Sequence, residues 1–156
     1  MSEQLYDKLE ETAKAHLLSL RPQEAGSNKL DREAFELHIV SSWRVNWGHD
    51  YFVSTKPPMQ GDKSADEFST HMSMMCALLR TWTIDIKDVC VDARRRSAIL
   101  RANMLMSPTN GDSVVNDILF WIYMDETGDK VVRTTEYVDG VASEELARRM
   151  GGGAAK

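Results

Sequence analysis

TWTIDIKDVCVD (81–92), SAILRANMLM (97–106), VVNDILFWIYM (114–124) and VVRTTEYVD (131–139) are the four stretches whose reading decides the fold. In the first, Trp82, Ile84 and Ile86 alternate with Thr83, Asp85 and Lys87, the period-2 pattern of a strand with two unlike faces. Loop signals separate the runs. SPTNGD (107–112) carries Asn110-Gly111, a strong turn dipeptide, and DETGDK (125–130) carries Gly128. Four long strands joined by short loops predict an antiparallel meander.

The sequence before residue 81 changes period. Over 3–20, Leu5, Leu9, His16, Leu17 and Leu20 fall near one helical face, with Glu3, Asp7, Lys8, Glu10 and Lys14 around the rest. RPQEAGSNKL (21–30) reads as a loop. A second helix is predicted over 31–44, with Asp31 as N-cap and Phe35, Ile39, Val40 and Trp43 apolar. YFVSTKPPMQGDK (51–63) is expected to start extended and then turn at Pro57-Pro58 and Gly61-Asp62. Ser64 and Glu67 form a capping box opening a third helix to about Arg80, with Phe68, His71, Met72, Met75, Cys76 and Leu79 on its apolar stripe. Ser143 is a candidate cap for a short last helix over 144–150. The expected domain is residues 1–150, with 151–156 (GGGAAK) a flexible tail. Helices on one face of an antiparallel sheet make an α+β domain. Long strands let the sheet curl, so that helices close it into a cone.

Composition narrows the function. A net charge of −5 argues against nucleic acid, because neutralising phosphates needs a basic face. The one dense basic run, Arg94-Arg95-Arg96, reads as a solvated turn. Cys76 and Cys90 lie in apolar runs, outside any CxxC or Cys/His cluster, so no metal site is expected. They read as small core residues in a reducing, cytoplasmic setting. No apolar run approaches the roughly 20 residues that span a bilayer, and nothing resembles a signal peptide, so no membrane partner is expected. No nucleotide loop, nucleophile elbow or metal box is present, and no cofactor is expected.

Element order and several local phrases together resemble a known family. WRVNWGHD (43–50), ADEFSTHMSMM (65–75), WTIDIKDVCVD (82–92) and above all VVNDILFWIYM with DETGDKVVRTTEYVDG (125–140) are similar to small fungal proteins of the SnoaL-like, or nuclear-transport-factor-two-like, superfamily. The resemblance covers about residues 31–140. It implies a cone-shaped domain with a deep apolar pocket, and relatives that include isomerases and cyclases of secondary metabolism. It also implies roles for an Arg ending the second helix and a Glu in the last strand, positions held here by Arg44 and Glu136. Where those relatives often place tyrosines, this chain has Val114 and Ile118.

The residues themselves add reasons. Alternation puts Glu136 on one face with Val132, Thr134 and Val138, where desolvation would raise its pKa and make it a candidate acid or base. The other reading is an exposed or salt-bridged strand residue. Arg44 is a candidate oxyanion partner or a helix C-terminal charge. His71, on an apolar stripe, is a candidate acid–base group or a hydrogen-bonded core histidine. His49 and Asp50 form an adjacent polar pair, and Arg101, Asn103 and Asn116 are polar residues within strands. Trp43, Asp50, Phe52, Met75, Asn116 and Phe120 are the expected ligand-binding set, with Trp43, Phe52, Met75 and Phe120 lining a cavity that Glu136 faces. Met72, Met75, Met104, Met106 and Met124 read as core filler that also suits a bulky ligand.

The reading is a cofactor-independent isomerase or cyclase acting on a bulky, apolar, polycyclic or polyketide-like molecule. The alternatives are a dehydratase, or a non-catalytic ligand-binding or dimerisation module of the same fold. In VVNDILFWIYM both faces are apolar, and Leu119, Trp121 and Tyr123 form the one that need not pack on helices. Such a row points to an interface, so a homodimer through this face is expected.

Overall fold

The structure, a computed structural model, describes residues 2–151; the expected tail lies outside them beyond Gly151. The elements are α1 (Glu3–Ser19), α2 (Arg32–Glu36), β1 (Ile39–Gly48), α3 (Asp50–Ser54), a 3₁₀ turn (Pro57–Met59), α4 (Ala65–Cys76), β2 (Leu79–Asp92), β3 (Ser97–Pro108), β4 (Val114–Met124), β5 (Val131–Tyr137) and α5 (Gly140–Arg149). The five strands form one open sheet in the order β1-β5-β4-β3-β2. Neighbours from β2 to β5 are antiparallel, whereas β1 runs parallel to β5.

The largest departure from the sequence reading is at 37–48, which is a strand and not the end of a helix. Asp31 does cap, accepting from the Ala34 amide, but the helix stops at Glu36. Phe35, Ile39 and Trp43 are spaced by four, which imitates a helical stripe. Ile39, Trp43, Val45 and Trp47 also fit period 2, with Trp43 and Val45 buried and Ser42 and Arg44 exposed between them. The free edge of β5 offers hydrogen bonds that a short isolated helix cannot match, so the strand wins. The sheet is therefore mixed, not a plain antiparallel meander.

Smaller corrections follow the same local logic. Residues 50–54 are helical, not extended. The Ser64–Glu67 capping box forms as expected, but α4 ends at Cys76, and Leu79 opens β2. Asp139, not Ser143, caps α5, accepting from the amides of Val141 and Ala142. A register shift between Ile86 and Asp88 turns the far half of β2 over. Trp82, Ile84 and Ile86 lean inward, and after the shift Val89 and Val91 do, leaving Cys90 exposed where a core residue was expected.

Helix α1 lies across the inner face of the sheet, burying Leu9, Ala13 and Leu17. The core continues through Phe35, Trp43, Trp82, Leu100, Phe120 and Ile122. The Trp82 indole donates to the Leu20 carbonyl at 2.9 Å, tying the end of α1 to β2. At its other end the Thr12 hydroxyl donates to the Gly128 carbonyl at 2.6 Å, and Lys8 pairs with Asp129 at 2.9 Å. No helix among the described residues is long and apolar enough to cross a membrane.

Gly128 has a φ of +76°, and a Cβ there would lie 3.1 Å from Leu9 Cδ2. Gly128→Ala should therefore cost about 1–2 kcal/mol from the left-handed backbone alone, read as a lower urea midpoint with an unchanged slope.

Candidate functional site

β5 carries two buried polar side chains on its inner face, and they are handled differently. Thr134, Glu136 and Val138 are buried as the alternation predicts. Val132 is not: a register shift between Tyr123 and Met124 brings Val131 into the core in its place.

Thr134 is well partnered. Its hydroxyl oxygen lies 3.1 Å from His16 Nε2 and accepts from the Trp43 indole at 3.3 Å. Because that oxygen receives the indole proton, its own hydrogen can go to His16 Nε2, which leaves Nδ1 carrying the ring proton. Nδ1 has no partner. His16 is fully buried against Phe35 and Trp43, and burial, helped by His38, pushes its pKa down to about 3. It is neutral at physiological pH. His16 was legible in the sequence only as one member of an apolar face; its partner lies 118 positions away.

Glu136 is 9% exposed. In register its neighbours are Trp47 on β1 and Phe120 on β4. Burial pushes its carboxyl up to about 7, opposed by the Trp47 indole as a hydrogen-bonding neighbour. Trp47 also carries His71 of α4, the two ring centroids 5.4 Å apart. Burial lowers the pKa of His71, and the charge of Lys63 lowers it further. A carboxyl moved up and an imidazole moved down thus both neighbour one indole. Trp47 was missed in the sequence reading because a helix over 31–44 left it outside the pattern. Extending the alternation of Trp43 and Val45 finds it.

The other expected site residues scatter. Arg44 is exposed, and its guanidinium donates to the Trp43 carbonyl at 2.9 Å. In a strand, adjacent side chains point to opposite faces, so Arg44 cannot share a site with inward-facing Glu136. Asp50 is exposed at the start of α3, and the His49 ring lies against Tyr137. Asn116 is buried but satisfied: it donates to Ser143 Oγ at 2.9 Å and accepts from the Asp139 amide at 3.0 Å, which fastens α5 to β4. It is structural, not a free ligand group. Trp43 and Phe120 are sealed in the core, while Phe52 and Met75 are half-buried at its edge. Arg101 makes a forked pair with Asp117 on the outer face.

Two open clefts lie elsewhere. One, of about 520 Å³, is lined by Leu30, Arg32, Ser69, Thr70, Ser73 and Met74. The other, of about 430 Å³, runs from Arg32 and Glu36 past Ile39 and Val40 to Ser64 and Asp66. Neither touches Glu136. Among the described residues no group of His, Cys, Asp and Glu is arranged to hold a metal ion.

On the outer face, Trp121 stacks on Tyr123 with centroids 5.6 Å apart, and the Arg95 guanidinium lies 5.3 Å from the Trp121 ring centre. Both aromatics are half-buried within one chain. Leu119, next to them along β4, is exposed, and so are Leu105 and Val115, paired at the other end of β3 and β4 beyond the Arg101–Asp117 ion pair.

No family model matches the chain, and no curated protein matches it. Solved structures do. The BvnE pinacolase of Penicillium brevicompactum superposes with a TM-score of 0.78 at 14% identity, covering 96% of this chain and 99% of that one. PrhC of Penicillium brasilianum gives 0.76 at 17% identity, covering 97% and 93%. A putative SnoaL-like polyketide cyclase from Jannaschia sp. CCS1 gives 0.68 at 10% identity, covering 96% of each chain. At such identities the likeness establishes the fold, which is the SnoaL-like, nuclear-transport-factor-two-like α+β cone.

The two opposite shifts give a test that needs no substrate. A carboxyl raised from 4.5 to about 7 contributes stability fully present below pH 4.5 and lost as pH climbs through 7. The lowered histidines contribute with the opposite sign: their share is present above 6.5 and lost as pH falls. Subtracting Glu136→Gln from wild type cancels the histidine part. That difference should fall by up to about 3 kcal/mol between pH 4.5 and 7.5, measured by urea unfolding across the range.

Proposed function

We propose that the chain is an enzyme that moves a proton on a bulky, apolar, polycyclic or polyketide-like molecule, isomerising or cyclising it without a cofactor. The observation that carries this reading is the Glu136–Trp47–His71 arrangement. Environments that drive a carboxyl and an imidazole in opposite directions divide the roles of acid and base between them. With its pKa at about 7, Glu136 is close to half protonated at neutral pH and serves in either direction. His71, held neutral, accepts a proton or orients a carbonyl. In the proposed reaction one of the two takes a proton from carbon beside a carbonyl, and the other delivers one elsewhere on the conjugated system. The surroundings, Trp47, Phe120 and Met75, suit an aromatic or alicyclic skeleton. Such chemistry needs only these side chains, and the names of the similar proteins, a pinacolase and a putative polyketide cyclase, are compatible with it. Both cysteines are free, in keeping with a reducing, cytoplasmic setting.

The exposed Leu119 next to the Trp121–Tyr123 stack on β4 supports a second element of the proposal, a homodimer through the outer face of the sheet.

Deuterium uptake from heavy water into apolar polycyclic ketones, followed by mass spectrometry, tests the chemistry. Glu136→Gln should lower the rate about 10²–10⁴-fold while leaving the circular dichroism spectrum intact; near-normal uptake by that variant would rule Glu136 out as the proton carrier. For assembly, sedimentation at micromolar concentration should give a species near twice 17.7 kDa. Trp121→Glu should return it to the single-chain mass, and a wild-type monomer would refute the dimer.

A further inference from the structure

Glu136 is buried and neither open cleft reaches it, so a substrate needs a way in. We propose that residues 49–61 are a hinged lid over the Glu136–Trp47 end of the sheet, swinging as a unit between His49 and Gly61 to admit the ligand. The proposal rests on the reading of Glu136 as the site, and names its entrance.

The place of the segment comes first. β1 ends at Gly48, one residue past Trp47, and Gly48 is packed so closely on Tyr137 of β5 that a Cβ there would lie 2.3 Å from the ring. The chain then crosses directly into α3. Phe52 of α3 sits on Gly140, the first residue of α5, where a Cβ would be 3.2 Å from its Cδ2. Residues 49–61 therefore start one residue past Trp47, the register partner of Glu136, and reach the start of α5, with Phe52 and Met59 packed on the core.

The attachments come second. Every hydrogen bond among the described residues that involves 50–60 stays inside the segment. Val53 donates to His49, Thr55 to Phe52, Lys56 to Val53, Met59 to Lys56, and Gln60 to Pro57 through their amides. The side chains of Ser54, Thr55 and Gln60 likewise reach only Tyr51, Phe52, Val53 and Ser54. Neither α3 nor the 3₁₀ turn has a fully buried residue, and Tyr51 is 85% exposed. What holds the segment down is two half-buried apolar side chains, Phe52 and Met59, the His49 ring against Tyr137 at the hinge, and one ion pair, Lys56–Glu144 at 3.2 Å. Pro57 and Pro58 keep it stiff.

The hinge comes third. Immediately beyond the segment the chain is fixed again: Asn46 donates to Asp62 at 2.8 Å, and Lys63 pairs with Val45 in both directions. Between fixed and unfixed parts stands Gly61, with φ of +76° and open space where a Cβ would be. Swinging 49–60 breaks no hydrogen bond. It lifts Phe52 and Met59 off the core, turns the His49 ring on Tyr137 and parts one ion pair, which is the behaviour of a lid and not of a core element.

The test reads access to position 136 and needs no turnover. In a Cys90→Ser background, Glu136→Cys supplies a thiol, and its alkylation by N-ethylmaleimide is followed by peptide mass spectrometry. Phe52→Cys with Gly140→Cys, oxidised to a disulfide, should slow that alkylation about tenfold or more relative to the matched Phe52→Ser, Gly140→Ser protein, since reaction requires the open state. Lys56→Glu, which sets two carboxylates against each other, should speed it, and adding Glu144→Lys should restore the original rate. The charge variants keep the test alive if the disulfide protein misfolds. Equal rates across these proteins, or a thiol at position 136 that reacts in none of them, would overturn the lid. A lid that passes beside a Glu136→Gln enzyme with normal turnover would instead locate the failure in the chemistry.

Discussion

The parallel pairing of β1 onto β5 is the contact on which the rest depends. Without it β5 would be an edge strand, and a carboxylate on an edge strand is hydrated. With it, Glu136 is flanked by Trp47 on one side and Phe120 on the other, in the interior of a five-stranded sheet. A parallel partner must arrive by a crossover, and the chain supplies one: β1 leaves through α3, the 3₁₀ turn, α4 and three antiparallel strands before β5 pairs with it. The two strands that build the candidate site are thus separated by most of the sequence, and neither half of the chain contains the site alone.

Thr134 and Glu136 show how one strand face can hold polarity in two ways. Thr134 is neutral and closes a network with His16 and Trp43, so its burial costs little once the hydrogen bonds form. Glu136 has only a neighbouring indole and no cation, so its ionised form is penalised and its pKa rises. A stability-minded sequence would place an apolar residue there. Retaining an unpaired carboxyl in the interior is the kind of local violation that functional sites carry and cores do not.

How far the sequence could be read follows from which signals are local. Period-2 alternation identified β2 to β5 and put Glu136 inward, because that signal depends only on neighbours along one strand. The Ser64–Glu67 box fixed the start of α4 for the same reason. Phe35, Ile39 and Trp43 satisfied two periods at once, and only the long-range edge of β5 decided between them; the error carried Arg44 to the wrong face. Cys90 was misplaced by a bulge that no composition announces. Asn116 looked like a free polar group because its partners, Ser143 and Asp139, come from α5, whose true start was hidden by a better-looking cap at Ser143. The resemblance to fungal relatives implied roles for Glu136 and Arg44; the structure buries Glu136 on a strand and sets Arg44 on an exposed strand position, not at a helix end.

Burial along the inner face is graded, and the gradient gives the domain a direction. Toward α1, His16, Phe35 and Trp43 are fully buried, and the Trp82–Leu20 bond seals the helix end. Toward the end of β1 the apolar side chains are the same in kind but only half covered: Trp47, Phe52, Met59 and Met75, with His71 among them. A core built only for stability has no reason to leave its aromatic and sulfur-bearing side chains incompletely packed at one end while closing the other, since each uncovered surface forfeits transfer free energy. The incompletely packed end also holds Glu136 and His71, whereas His16, at the closed end, is fully buried and held by Thr134. Loose packing and perturbed acid–base groups coincide where a ligand would complete the packing, and the sealed end supplies the rigidity against which such a site is held.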